Sequence, residues 1–130
     1  MAWSGEQIRI PGLKASADLT AKQFYFVELS GAGTVAVCNA ATDKAIGVLQ
    51  NAPDDGQPAE VCAIGITKVS SDGALTRGTL IGPSADGQAD GKTPGSDSGE
   101  FIHGQVIQAS GAAGQMAVAL INCATPAEAD

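Results

Sequence analysis

The residues that could carry chemistry in this 130-residue chain are few and far apart. His103 is the single histidine, and a nucleophile activated by it would need to lie beside it, with an acid to orient the ring. No nucleophile elbow surrounds any serine or cysteine, and the chain has neither a P-loop nor a G-x-G-x-x-G turn after a strand. The sequence therefore predicts that the protein is not an enzyme and binds no cofactor.

The cysteines do not form a recognisable metal site. Cys38, Cys62 and Cys123 share no C-x-x-C spacing, and each lies in an apolar or strand-like stretch. This pattern favours buried free thiols that pack as small hydrophobic side chains over metal ligands.

Oxygen-bearing side chains occur once at a spacing that resembles a calcium loop. They occupy positions 1, 3, 5, 6 and 12 of an EF-hand-like segment: Asp86, Gln88, Asp90, Gly91 and Asp97. Asp97 stands where a bidentate Glu is usual, and no amphipathic helices flank the segment. A solvated loop rich in Asp and Gly explains the same residues, so we expect no metal.

Charge and hydropathy exclude several partners. The chain has 7 basic and 14 acidic residues, a formal net charge of −7, and its basic residues are scattered singly. Nucleic-acid binding requires Lys and Arg to displace counterions from phosphates, so no nucleic-acid partner is expected. No apolar run reaches 18 residues and the N-terminus lacks a signal-like pattern, so we expect no membrane association and synthesis in a cytoplasm.

The pattern of strands and turns predicts three regions. Residues 1–18 read as an extended N-terminal arm that could form one short edge strand and carries the candidate partner contacts Trp3, Ile8 and Ile10. Residues 19–123 read as a single β domain, and residues 124–130 as a flexible tail. The segment 83–100, almost empty of large apolar residues, is predicted to be a flexible loop.

Two parts of the β domain resemble each other. Val48-Leu49-Gln50, leading to Gly56-Gln57, returns 58 residues later as Val106-Ile107-Gln108, leading to Gly114-Gln115. Two copies, at about 19–69 and 75–123, are too few for a solenoid, which needs about three repeats. We therefore predict an all-β fold with at most one short helix. It would be a small β-barrel or β-sandwich built from two related β units, preceded by the extended arm.

The order of these motifs resembles that of the head decoration, or capsid cement, proteins of tailed bacteriophages. The resemblance covers about residues 19–123 and is carried by Leu19-Thr20, Ala45-Ile46-Gly47-Val48-Leu49-Gln50, Gly56-Gln57-Pro58-Ala59-Glu60-Val61, Gly65 and the closing strand Gln115–Ile121. It implies a homotrimer on the outside of an icosahedral virion that clamps neighbouring subunits of the major capsid protein. The family pattern contains no catalytic residues.

The arm then has a mechanical interpretation. Trp3, Ile8 and Ile10 would anchor the protein or add a strand to a capsid edge. The alternative is a β-sandwich that binds carbohydrate or a receptor on a virion or tail. Such a module would stack sugars on its aromatic rings, of which Tyr25 is the first candidate.

Overall fold

The computed structural model describes residues 6–129 and is all-β, with no helix in that range. Its strands are β1 Gln7–Ile10, β2 Lys14–Ala15, β3 Phe26–Gly31, β4 Thr34–Val37, β5 Gly47–Leu49, β6 Val61–Ser70, β7 Leu80–Pro83, β8 Ala89–Gly91, β9 Phe101–Ile102, β10 Gly104–Gln108, β11 Met116–Asn122 and β12 Ala127–Glu128. The all-β prediction is confirmed. The one short helix that the prediction allowed is absent, and residues 6–129 contain no helix long and apolar enough to cross a membrane.

The main sheet is open. Its hydrogen-bonded neighbours follow the order β2-β4-β3-β5-β6-β11-β10-β7-β8, with β1 paired to β6, while β9 and β12 form a separate pair. Strands β2 and β8 at the two ends of this path do not pair with each other, so the barrel option of the sequence prediction is wrong. The fold is compatible with a small β-sandwich.

The order of strands in the main sheet is symmetrical about the β6–β11 pair. On one side of the β6–β11 pair lie β5, β3 and β4, and on the other lie β10, β7 and β8. Each half thus contains a hairpin (β3–β4 or β7–β8), a middle strand (β5 or β10) and a central strand (β6 or β11). The internal repeat itself stays a prediction, and this order is one that two related units could produce.

Two hydrophobic clusters form the core. The larger includes Phe26 and Val48 from the first half and Ile81, Val106 and Ile121 from the second. The smaller includes Leu13, Ala15, Val27, Val35, Leu49 and Val61. Because adjacent residues such as Phe26 and Val27 are both fully buried, strand β3 is covered on both faces. This is why its apolar residues run consecutively instead of alternating with polar ones.

The described part of the predicted arm belongs to the domain. Strand β1 pairs antiparallel with β6, and β2 pairs parallel with β4. Leu13 and Ala15 are buried in the smaller cluster, where they cover the outer face of β3 and β5. The segment is extended, as expected, but residues 7–15 form two short strands instead of one because apolar burial holds them on the domain.

Gly65 allows β1 to approach β6 closely. Its φ of 137° lies where side chains are rarely tolerated, and a Cβ added there would lie 2.5 Å from the Glu6 carbonyl oxygen and 2.9 Å from the Gln7 Cα. The pairing of β1 with β6 also changes register between Ile8 and Arg9. Gly65 therefore marks a close backbone approach of β1 to β6.

Two segments predicted to be flexible are ordered by backbone pairing. Residues 83–100 contain the end of β7, all of β8 and a series of hydrogen-bonded turns, and Ala89 and Lys92 within them are buried. In the predicted tail, β12 pairs with β9, Ala129 is buried, and the Ala129 carbonyl accepts a hydrogen bond from the Gly95 N–H at 2.6 Å. Both predictions of flexibility are wrong in these parts, because each segment supplies the other's backbone partners.

Candidate interaction surface

An exposed apolar strip crosses the outer face of β1, β6 and β11. It consists of the exposed Ile8 and Leu120 and the half-buried Ile64 and Ile66, and we call it the outer strip. In the sheet register Ile8 lies opposite Ile64, and Ile66 lies opposite Leu120. Residues opposite each other in a sheet point to the same face, as do residues two apart along a strand, so these side chains are neighbours.

The outer strip exists because β11 has two different faces. Ala117, Ala119 and Ile121 point into the larger core cluster, whereas the residues between them point outward. Leu120 is 52% exposed and Ile8 is 61% exposed. Large side chains exposed side by side on several strands are typical of a surface that meets another molecule.

A shallow pocket extends this surface beside Leu120. It has a volume of about 250 Å³ and is lined by residues of β7, β9, β10, β11 and the C-terminal segment, including Leu80, Ile102, Gln105, Leu120 and Thr125. Gln105 lies opposite both Leu80 and Leu120 in the sheet register. The outer strip and this pocket together form a mostly apolar surface that spans both halves of the sheet.

The two predicted contact residues within the described range, Ile8 and Ile10, have different surroundings. Trp3 lies outside the described residues. Ile8 belongs to the outer strip. Ile10 is half-buried, packs against the smaller core cluster and lines a different pocket of about 340 Å³ between β1 and residues 58–60. The Ile10 side chain thus contacts its own domain and also lines this pocket, and its contact with a partner stays a prediction.

Strand β1 also has backbone groups that other chains could pair with. Among the described strands it pairs only with β6. Its exposed side carries an ion pair between Arg9 Nη1 and Glu60 Oε1 at 2.8 Å, which anchors β1 to the start of β6. A strand with one unpaired edge is a site for β-augmentation.

His103 lies in the core and not in this surface. It is 1% exposed, its Nε2 accepts a hydrogen bond from the Ala45 N–H at 2.9 Å, and its ring is 5.6 Å from that of Phe26. Burial, with a smaller contribution from the nearby Lys92 ammonium, lowers the pKa of His103 to about 4, and the Phe101 backbone partly opposes this shift. The imidazole is therefore neutral at pH 7 and joins the segment before β5 to the start of β10.

Lys92 forms a buried ion pair with Glu100. The Lys92 side chain is fully buried, and its ammonium group donates hydrogen bonds to Glu100 Oε1 and, at 2.8 Å, to the Pro83 carbonyl. Glu100 is partly exposed, at 22%. These contacts fix the segment 92–100 against the end of β7. Sequence reasoning gave Lys92 no role, since a single Lys in an Asp- and Gly-rich segment usually lies in solvent.

The structure does not bring the predicted calcium-loop residues together. Within residues 6–129, the three side chains that come within metal-ligand distance of one another are instead Glu28, Cys38 and Asp43. No local spacing in the sequence signals this group, because its members come from β3, from the end of β4 and from the turn that follows. The prediction that all three cysteines are buried free thiols is confirmed.

Comparison with known proteins finds similarity in three-dimensional structure. No protein-family model and no curated protein matches the chain. The crystal structure of the head fibre gp8.5 N base in bacteriophage phi29 matches with a TM-score of 0.64 and 13% sequence identity, over 92% of this chain and 96% of that one. The likeness is one of fold. It covers nearly the whole length of both chains, so the two share their architecture and not merely a hairpin or a sheet edge.

Proposed function

We propose that the protein is a structural component of a bacteriophage virion, a decoration or cement protein on the outer surface of an icosahedral head. The observation that carries the proposal is the fold shared over almost the full length with a protein described as a phage head fibre base. The order of sequence motifs independently resembles that of head decoration proteins. Fold alone does not determine function, so the proposal also needs a surface suited to the role.

The outer strip is the surface that we propose meets the major capsid protein. Ile8 and Leu120 supply exposed apolar area, and the unpaired edge of β1 can add backbone hydrogen bonds. An interface needs an apolar centre with polar groups around it, and Arg9 and Glu60 provide such groups beside β1. The role is non-enzymatic: the protein would clamp neighbouring capsid subunits through contacts and change no bond.

We propose a homotrimer as the working form. Closed threefold symmetry uses head-to-tail contacts in which two different patches of each subunit meet. The pocket of about 340 Å³ lined by Ile10 and the outer strip are two distinct apolar patches of this kind. Three copies fixed in one trimer would bind a capsid together, so each single contact could be weak.

The carbohydrate-binding alternative gains little support from the aromatic residues. Phe26 is buried, and lysine ammonium groups lie over the rings of Phe24, Tyr25 and Phe101, at 5.9, 4.9 and 4.8 Å from the ring centroids. Phe24, Tyr25 and Phe101 thus already make contacts within the domain.

The test combines solution mass with capsid binding. The mass of the purified full chain is measured by light scattering, and the protein is then mixed with expanded phage heads and imaged. A trimer that forms threefold knobs on the heads is the expected result. A monomer that leaves heads bare would overturn the proposal.

A further inference from the structure

Three potential metal ligands converge at one edge of the β3–β4 hairpin. Glu28 lies on β3 opposite Ala36, Cys38 follows the last residue of β4, and Asp43 lies in the turn beyond it. One carboxylate oxygen from each acid and the Cys38 sulfur all lie within 4.8 Å of one another. The group thus combines two carboxylates and one thiol from three separate segments.

The Cys38 thiol is the unusual member. It is fully buried, with 0% of its surface exposed, yet it faces two carboxyl groups. No hydrogen bond joins it to any residue in the range 6–129; in contrast, the Cys62 thiol donates to the Ile64 carbonyl at 3.5 Å. Burial raises the pKa of Cys38, and the two neighbouring carboxylates raise it further. A buried thiolate beside two carboxylates is electrostatically unfavourable unless a cation lies between them.

The two carboxyl groups are arranged so that they repel when both are ionised. Asp43 Oδ2 is held in place by the backbone N–H groups of Asn39 and Ala40, which donate to it at 3.0 and 3.1 Å. Burial raises the pKa of Glu28 to about 7, as do a hydrogen bond to Asp43 and its charge. A cation bound between the two carboxyl groups would stabilise their ionised forms.

We propose that Glu28, Cys38 and Asp43 form a binding site for a divalent cation of the zinc class. Thiolate, carboxylate and water ligands together suit Zn²⁺, or Cd²⁺ as its softer analogue, whereas Mg²⁺ and Ca²⁺ prefer oxygen alone. Each protein residue supplies one ligand and water fills the fourth position. Binding releases the Cys38 thiol proton to solvent, with no change in oxidation state.

The site needs only a small adjustment to close around the ion. Bond lengths of about 2.0–2.3 Å to zinc place tetrahedral ligands roughly 3.3–3.7 Å apart, closer than the 4.8 Å limit within which these atoms lie. Glu28 is half-buried and lines a pocket of about 300 Å³ that opens to solvent, so its side chain has both an approach route and room to move. Lys44 lines the same pocket, but its ammonium lies 4.8 Å from the Phe101 ring centroid.

The bound ion would be structural. It would join β3, the end of β4 and the turn at residues 39–43, and so reinforce the first half of the sheet. This inference does not depend on the proposed capsid role, because every measurement below uses the isolated protein.

The test is a titration of the full chain with Cd²⁺ after treatment with a chelator. We expect one Cd²⁺ per chain, a thiolate-to-cadmium charge-transfer absorption, proton release and a higher melting temperature. Cys38→Ala should remove the absorption, and Glu28→Gln should weaken binding at least about tenfold. Cys62→Ala is the matched control, since it removes a buried thiol outside the group and should keep the absorption.

Three results would overturn the proposal. They are a wild-type protein with no charge-transfer absorption, an absorption that survives in Cys38→Ala, or an absorption that is lost in the Cys62→Ala control. Should Cys38→Ala fail to fold, Glu28→Gln decides the matter, because this side chain is partly exposed and its replacement leaves the core intact. Unchanged Cd²⁺ affinity in that variant would also reject the site.

Discussion

The Nε2 atom of His103 accepts a hydrogen bond from the backbone N–H of Ala45 at 2.9 Å, across 58 positions of the chain. Only an unprotonated nitrogen can accept, so this contact requires a neutral imidazole with its proton on Nδ1. Nδ1 itself is buried without a well-aligned hydrogen bond in the described part of the chain, although its contact with the Phe101 backbone partly offsets the lowering of the pKa. The single histidine thus links the two halves of the sheet in one protonation state only.

Acid should weaken this link. The pKa of His103 is about 4 in the folded protein against 6.5 ordinarily, so the unfolded chain binds the proton more readily. The stabilisation is complete above pH 6.5 and is lost as the pH falls towards 4. The loss amounts to about 3 kcal/mol in the free energy of unfolding. Urea unfolding at pH 7, 6, 5 and 4 measures it, with His103 titrated by NMR in parallel.

His103→Asn provides the comparison. It should be less stable at pH 7, but its stability should fall less between pH 7 and 5 than that of the wild type. Equal slopes in the two proteins over that range would show that His103 does not govern the acid response.

Removing the charge of Glu100 and removing the charge of Lys92 should reduce the stability of the protein by different amounts. Glu100→Gln leaves the Lys92 ammonium buried and uncompensated, and we expect it to reduce stability by about 3 kcal/mol. Lys92→Met removes the buried charge and leaves a carboxylate that can be hydrated, so the loss should be smaller. Denaturant unfolding of both variants gives the two values.

The exposed pair between Arg9 and Glu60 serves as the reference for that experiment. Glu60→Gln should change stability by less than about 1 kcal/mol, because both of its charges are solvated. A greater loss for Lys92→Met than for Glu100→Gln would contradict the interpretation based on burial.

Replacing Gly65 with Ala should detach β1. The added Cβ would collide with the Glu6 carbonyl in a backbone conformation that is already unfavourable for Ala, at a cost of about 1–3 kcal/mol. Hydrogen exchange at the β1 amides should accelerate more than exchange in β10. Gly73→Ala is the control, because a Cβ there meets no atom within 4 Å. Unaltered β1 protection in Gly65→Ala would refute the prediction.

Charges placed in the outer strip should abolish binding to phage heads while leaving the fold intact. Leu120→Asp and Ile8→Asp each put a carboxylate in the proposed interface, and each should weaken head binding by at least about tenfold. Because both positions are exposed, stability should change little. Met116→Asp lies on the same strand but outside the strip and should bind as the wild type does. Equal loss in all three variants would indicate a general charge effect.

Much of the fold could be predicted because local signals agreed with tertiary packing. The pattern of strands and turns indicated an all-β domain. The predictions that residues 83–100 form a flexible loop and residues 124–130 a flexible tail were based on their polar and small residues. The order at residues 92–100 and 127–129 comes from backbone hydrogen bonds and from one buried lysine, and composition does not report such distant pairings.

The candidate surface was only partly predictable for a similar reason. Ile8 was recognised because it alternates with polar residues near the N-terminus. Ile66 and Leu120 were not, since both lie in largely apolar strands whose inward and outward side chains the sequence alone does not distinguish. Their exposure follows from the β6–β11 register. The acid–thiol group of Glu28, Cys38 and Asp43 likewise exists only once β3 and β4 have paired.

The position of β6 at the centre of the sheet has a consequence for how the chain folds. Its pairing partners are β1 near the beginning of the chain, β5, and β11 near the end. Contacts between residues this distant in sequence require large loops to close first, which places such proteins among the slower folders, in milliseconds to seconds. During synthesis β6 leaves the ribosome before β11, so part of the β6 backbone stays unpaired until β11 has been made. In that interval the nascent chain is most exposed to aggregation.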